Sequence, residues 1–439
     1  MLKIHLTRGV ALGLALVSAG LAQEPALKLT LRDAVALALK QNPQVVLASL
    51  GVSQSEQERL VARSALLPQL NGNVSETVHR VNLETAIGFK FPGFPQHVGP
   101  YYVFQGGTGF AASVFDLTLW HRYRSSGMGI ESSRAAGQTA REESVLLVVS
   151  QYLGSQRAAA DVEAARSRVD LAQALYNQSA DLQKNGVGTG IDTLRANVQL
   201  QNEKQRLIVA RTQLQTSLYG LARLLSVDPR RTIELADQVS FFDTPEVSSD
   251  QTLERAYNTR PELKEILSEQ QRAQLDLRSA GDQRLPKLSV NGVWVEQGLT
   301  PAGIIPVYQY QASLDFPLFT GGRIQAQRTR AELAIRQLKL QEQDLRNRIA
   351  FEVKTAIAQL EAARSEVNVA NLGVQLAKQE VEQARDRFQA GVANNIEVIT
   401  AQDELARAND NQIAALYRYN QARAGLAHAV GQMEDSYTK

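Results

Sequence analysis

"FEVKTAIAQLEAARSEVNVANLGVQLAKQEVEQARDRFQAGV", residues 351–392, decides the fold. Val353, Leu360, Val367, Val374, Val381 and Phe388 recur every seven residues. Three places after each stand Ala356, Ala363, Ala370, Ala377, Ala384 and Gly391. A large residue at one seam position and alanine at the other, held over six heptads, specifies a coiled coil with close helix approach. The strict period implies a left-handed supercoil, because an unstrained helix would drift off the seam. The run stops at Gly391-Val392, and a helical pattern resumes from Ile396 to Val430. The same interruption occurs earlier, in "LQKNGVGTGIDTLRAN", residues 182–197. Glycine at such a point supplies positive φ for a tight turn between antiparallel helices. The GxGxG string also resembles a dinucleotide loop, but helix rather than strand precedes it, which argues against that reading.

The two interruptions belong to a duplication. Gly391-Val392 lies 205 positions after Gly186-Val187, and the match runs on through Asp192/Glu397, Ala196/Ala401, Leu200/Leu405 and Gly220-Leu221-Ala222/Gly425-Leu426-Ala427. Upstream the offset is 218: Asn42-Pro43-Gln44 faces Arg260-Pro261-Glu262, and Leu67-Pro68 faces Leu285-Pro286. A period this long exceeds any solenoid repeat and marks a duplicated half-molecule. The first copy's 13 extra residues are assigned to "GFKFPGFPQHVGPYY", which reads as a loop. The expected organisation is an export signal over 1–22, one repeat over 23–240, a second over 241–430 and a C-terminal tail over 431–439. The long helix of the second copy, Arg323 to Ala390, would reach about 100 Å. The returning helix and the one from Pro261 to Leu285 would together line it, stacked end to end. The first copy repeats the seam less strictly, with Val148, Val162, Val169 and Tyr176 beside Ala158, Ala165, Ala172 and Ser179.

At the other end of each half lie strands, in hairpins near 68–119 and 286–319. In "VYQYQASLDFPLF", Tyr308, Tyr310, Ala312, Leu314, Phe316 and Leu318 alternate with Gln309, Gln311, Ser313 and Asp315. That is the two-residue period of a strand with one apolar and one wet side. "KLSVNGVWVE" and "YYVFQGGTGFAASVF" follow it in part; "LNGNVSETVHRV" is weaker, with Glu76 on its apolar side. Four strands cannot close a barrel, for which about eight are needed. Either they form a small soluble sheet or several chains pool them.

Composition narrows the function. The net charge of +2 argues against a polyanion-binding surface, and nucleic acid is not an expected partner. The chain has no cysteine, which removes disulfides, thiolate metal sites and a lipidated cysteine together. Lys3 and Arg8 precede the short apolar run "GVALGLALVSAGLA", and Gly20 and Ala22 suit signal cleavage after Ala22. No later segment has the roughly 20 apolar residues of a membrane helix, so membrane insertion would have to use strands. No nucleophile elbow, metal-spaced histidine cluster or phosphate loop is present, and no cofactor is expected. His79, His97, His121 and His428 are isolated.

With these residues in view, the chain resembles the TolC-type outer membrane efflux proteins. The resemblance is carried by "LRDAVALALKQNPQV", the leucine-proline steps into strands, "FTGGR", and the paired "GVGTGIDTLRA" and "AGVANNIEVITA". It implies a homotrimer whose twelve pooled strands form one barrel in outer membrane lipid, above a periplasmic tunnel of helices. It implies a passive exit duct for a tripartite efflux pump or type I secretion system, with a periplasmic adaptor and, indirectly, an inner membrane transporter as partners. Gly186, Val187, Gly391 and Val392 match the tips where adaptors dock. Asp192 and Glu397 match acidic positions at the periplasmic mouth, where three-fold symmetry would make each a ring. Both also suit helix capping, and the two roles are compatible. Thr400 stands where a second acidic ring is often found. Phe388 and Ala393 stand where relatives can use a tyrosine and an arginine to hold the mouth shut; neither can form that link. The competing reading is a coiled-coil spacer or surface adhesin without a channel, which would need neither the strands nor the duplication.

Overall fold

The computed structural model describes residues 27–89, 92–237, 248–393 and 395–438. The export signal read over residues 1–22 lies outside them. The first copy runs β1 (Leu27–Leu29), α1 (Leu31–Gln41), α2 (Pro43–Ser64), β2 (Gln69–Asn82), α3 (Leu83–Ile87), β3 (His97–Phe115), α4 (Leu117–Lys184) and α5 (Gly190–Leu224). After β4 (Ile233–Leu235), the second runs α6 (Ser249–Thr259), α7 (Pro261–Asp282), β5 (Lys287–Gly298), β6 (Ile305–Asp315), α8 (Arg323–Gln389) and α9 (Asn395–Val430). The chain then adds α10 (Met433–Thr438).

The seam residues do what their spacing dictates. Val353, Leu360, Val367, Val374, Ala356, Ala363, Ala377 and Ala384 of α8 are buried, as are Val148, Ala158, Ala165, Ala172 and Ser179 of α4. With 68 and 67 residues, α4 and α8 each extend about 100 Å. Each is paired over its lower part with a returning helix, α5 or α9, and over its upper part with α2 or α7. The lateral order is therefore α5–α4–α9–α8 below and α2–α4–α7–α8 above.

Prolines and caps set the breaks. Pro43 and Pro261 each occupy a first helical turn, where a missing N–H costs nothing. Thr30 and Asp33 form a reciprocal capping box at the start of α1. Midway along the long helices, α1, β1, β4, α10, α4 and α5 share a core around Tyr152, Leu221, Leu225 and Met433. There β1 pairs in parallel with β4. The N–H of Met433 donates to Glu142 at 2.6 Å, and Arg141 holds Glu434, so the C-terminal helix is fastened to α4.

At the far end, one antiparallel sheet has the order β2–β3–β5–β6. Paired residues share a face, so the register sorts the side chains. Leu70, Val74, Val78, Tyr102, Phe104, Phe110, Val290, Trp294, Tyr308, Tyr310 and Leu314 fall together. Asn71, Asn73, Gln105, Asn291, Gln309, Gln311 and Ser313 fall on the other side. Part of the stretch expected as loop is strand, since β3 begins at His97 and pairs back to Asn82. The cross-strand ladder extends the hairpin beyond what the prolines and glycines suggest. The sheet ends in two edges, β2 and β6, with no further strand beside them among the described residues.

Candidate functional site

The two hairpin tips are built alike. Gly186 and Gly391 both take positive φ, 75° and 72°. The N–H of Val187 reaches back to the carbonyl of Leu182, and that of Val392 to Arg387, at 3.0 and 3.1 Å. This six-to-one closure satisfies the last carbonyls of a helix and needs a left-handed residue before it. Val187 and Val392 project from the turns and are 79% and 68% exposed. The structure thus leaves an apolar side chain bare at each tip.

Beyond each turn the acidic residue enters the first turn of the returning helix. Thr189 caps α5: it accepts from the N–H of Asp192, and its hydroxyl donates to the Asp192 carboxylate. Glu397 is engaged differently. Arg387, in the last turn of α8, donates through Nε to its carboxylate at 2.8 Å, across the turn. The sequence reading missed both partners. The T-x-x-D spacing from Thr189 is a capping signal that could have revealed the first. The second depends on how far α8 runs before it turns. Thr400 is exposed one turn further on, Ala393 is half-buried, and Phe388 packs against the buried cluster of Leu175, Ala196, Ala384, Val398 and Ala401.

No charged filter lies in the sheet. Between the Lys287/Asp315 pair at its base and the strand ends, the wet face holds Asn, Gln, Ser, Thr and one histidine beside Tyr101, Val103, Val293, Val295 and Val307, and no Asp, Glu, Lys or Arg; Glu76 and Glu296 fall on the other face. His79 stacks on Tyr101, His97 meets Arg80, and His121 bonds Asp282 at 2.6 Å. At the base, Lys287 binds Asp116, the residue that caps α4, at 2.8 Å. Charge therefore concentrates along the helices and at their tips.

A sequence model of outer membrane efflux proteins matches residues 34–227 and 252–432. The alkaline protease secretion protein AprF of Pseudomonas aeruginosa is 24% identical over 429 residues, 95% of this chain and 87% of that protein. The pyoverdine export outer membrane protein OpmQ of the same organism is 22% identical, over 87% of this chain and 80% of its own. Among solved structures, the Campylobacter jejuni CmeC outer membrane channel superposes with a TM-score of 0.79 at 20% identity, covering 92% of this chain and 85% of CmeC. The open state of the Neisseria gonorrhoeae MtrE outer membrane channel gives 0.76 at 17% identity, covering 91% and 88%.

Proposed function

The chain belongs to the outer membrane efflux protein family, and from that premise we propose that it is the passive exit duct of a tripartite efflux pump or type I secretion system. Its strands sit in the outer membrane and its helices cross the periplasm. The observation that carries this is the four-stranded sheet with one apolar face, one wet face and two open edges. In lipid each unsatisfied backbone group on such an edge costs several kcal/mol, so β6 of one copy must pair with β2 of the next. Three copies give twelve strands and a closed barrel. The helices support the same assembly. Val46, Leu47, Leu50, Ile208 and Val209 are exposed along one flank, on α2 and α5, and Leu340, Phe351, Val369 and Leu376 along the other, on α8. Unlike flanks that meet head to tail build a ring when the rotation between copies closes.

In that ring the bare tips at Gly186-Val187 and Gly391-Val392 would meet a periplasmic adaptor, which links the duct indirectly to an inner membrane transporter. Asp192 and Glu397 would each form a ring of three at the mouth. Glu397→Gln should lower the cation preference of the channel, measured as a reversal potential under a salt gradient in planar bilayers. An unchanged reversal potential would reduce Glu397 to the partner of Arg387. The duct itself is tested by extraction: it should need detergent and run at the mass of three chains. A chain that stays soluble and single would refute it.

A further inference from the structure

The apolar side of the sheet does not stay apolar to its far end. β2 is regular from Gln69 to Asn82, because the extra residue between the pairs His79/Tyr101 and Val81/Val98 belongs to β3. Even-numbered residues of β2 therefore share one face throughout. That face carries Leu70, Val74 and Val78, and then Arg80. His97 pairs with Asn82 and so joins the same face. A terminal nitrogen of Arg80 donates to Nε2 of His97 at 3.3 Å. A neutral ring that accepts at Nε2 keeps its own N–H at Nδ1. Both side chains are exposed, and among the described residues neither forms an ion pair with a carboxylate. Most of the guanidinium's donor fork is therefore unclaimed by the protein.

A bulge aims this pair. Gly99 takes φ 101° beside the doubled position, and a Cβ there would come 2.4 Å from the carbonyl oxygen of His79. Glycine lets β3 fit its extra residue against Arg80. The duplication shows that a hairpin of this kind does not need cations at its far end. The second one, from Leu288 to Gly322, contains no Lys, Arg or His, and its loop at the same end reads "LTPAGI". Carboxylates stand clear of the pair. Glu76 is on the same face but about 13 Å of strand below Arg80. Glu296 is lower still and two strands away, opposite Val74 through Gly106. Glu84, in the first turn of α3, pairs with neither cation.

We propose that Arg80 and His97 bind a phosphate group of a lipid in the outer leaflet, one site per chain. The proposal rests on the duct reading above, in which the sheet is membrane wall, and names the lipid chemistry that the wall meets. Height fixes the surroundings. Leu70 to Arg80 is about 33 Å of strand, which at a tilt near 40° rises about 25 Å, the height of the apolar band of a membrane barrel. The long helices join the sheet at its other end, beside Gln69 and Phe115, so Asn82 marks the outer side. Arg80 and His97 then stand where acyl chains give way to headgroups. Anionic headgroups attract basic side chains at that level. The planar guanidinium matches two phosphate oxygens at once, and the Nδ1–H of His97 offers a further donor.

Native mass spectrometry of the detergent-solubilised trimer counts bound lipids. Lipid A bearing both phosphates should bind up to once per chain, and the same glycolipid stripped of them roughly tenfold or more weakly. Arg80→Gln/His97→Gln should lose that preference, and excess inorganic phosphate should not displace the lipid from the unmodified trimer. A double variant that keeps the preference overturns the site, as does an unmodified trimer that shows none. Displacement by inorganic phosphate would make the ligand a soluble anion and overturn the lipid assignment. If the double variant does not assemble, Arg80→Gln decides: an unchanged preference overturns the site, and a loss that Arg80→Lys partly restores supports it. Failure of the unmodified protein itself to form a trimer or to enter vesicles would instead refute the duct.

Discussion

Asn42 and Arg260 occupy the same place in the two copies and solve the same problem with different chemistry. Asn42 Nδ2 donates to the carbonyl of Leu224, at the end of α5, at 2.8 Å, while its Oδ1 accepts from the N–H of Gln44 at the start of α2. One side chain thus closes one helix and opens another. Arg260, 3% exposed, donates to the carbonyls of His428 and Ala429 at the end of α9 and is held by Glu262 and Glu352, each at 2.9 Å. The proline that follows each was visible in the sequence; the shared capping role was not, because the capped carbonyls lie more than 160 residues away. The two sites should respond unequally. Asn42→Ala removes neutral hydrogen bonds and should cost about 1–2 kcal/mol. Arg260→Ala leaves two carboxylates without their buried partner and should cost about 3–5 kcal/mol. Denaturant unfolding of the detergent-solubilised protein would measure both, and equal losses would contradict the assignment.

At the scale of elements, regular spacing was legible and irregular closure was not. Heptads from Val353 to Phe388 gave α8 its end to within a residue, since the seam stops at Gly391, while its start at Arg323 came from the "FTGGR" stretch. The two-residue period gave part of β5 and β6 as far as Leu314, but Phe316 and Leu318, read as continuing the alternation, lie beyond the strand's end at Asp315. The three-residue strands β1 and β4 and the six-residue α10 are too short to carry a period. The charged cluster of Arg168 on α4, Glu203 on α5 and Asp410 on α9 was hidden for a related reason: a charged residue beside a heptad seam reads as a solvated face until a third helix arrives to bury it. Glycines in strands divide the same way. A Cβ on Gly107 of β3 would lie 2.2 Å from the carbonyl oxygen of Trp294 in β5, whereas one on Gly72 of β2 would meet nothing closer than 3.9 Å. Gly107→Ala must therefore push β3 from β5, the join between the two hairpins, at a cost of about 1–3 kcal/mol. Gly72→Ala should be silent. Protease protection of the strands in reconstituted vesicles tests the pair; equal protection would show that the join tolerates a methyl group.

For the whole molecule, the proposed duct makes one chain a part of a wall, and the open four-stranded sheet is the observation that asks for the rest. Two copies of one plan within a chain lay α4 and α8 as parallel staves, and on the proposed assembly the same operation carried on would bring α8 of one chain to α2 and α5 of the next. The third repetition and the ring's closure were read from family resemblance, because strand count alone excludes one chain without fixing the number that assemble. The flanks offer a direct check. Ile208 and Val209 on α5 are 64% and 62% exposed, while Val369 and Leu376 on α8 are 72% and 56% exposed. If these flanks meet between chains, Ile208→Glu places a carboxylate in an apolar seam three times per ring. Burying it without a partner costs several kcal/mol, so the helical part should fail to assemble while each hairpin keeps its own core. Circular dichroism should retain the helical signal, and mass measured in detergent should fall from three chains to one. A trimer that tolerates the substitution would place that flank on the tunnel surface and move the seam elsewhere on α5.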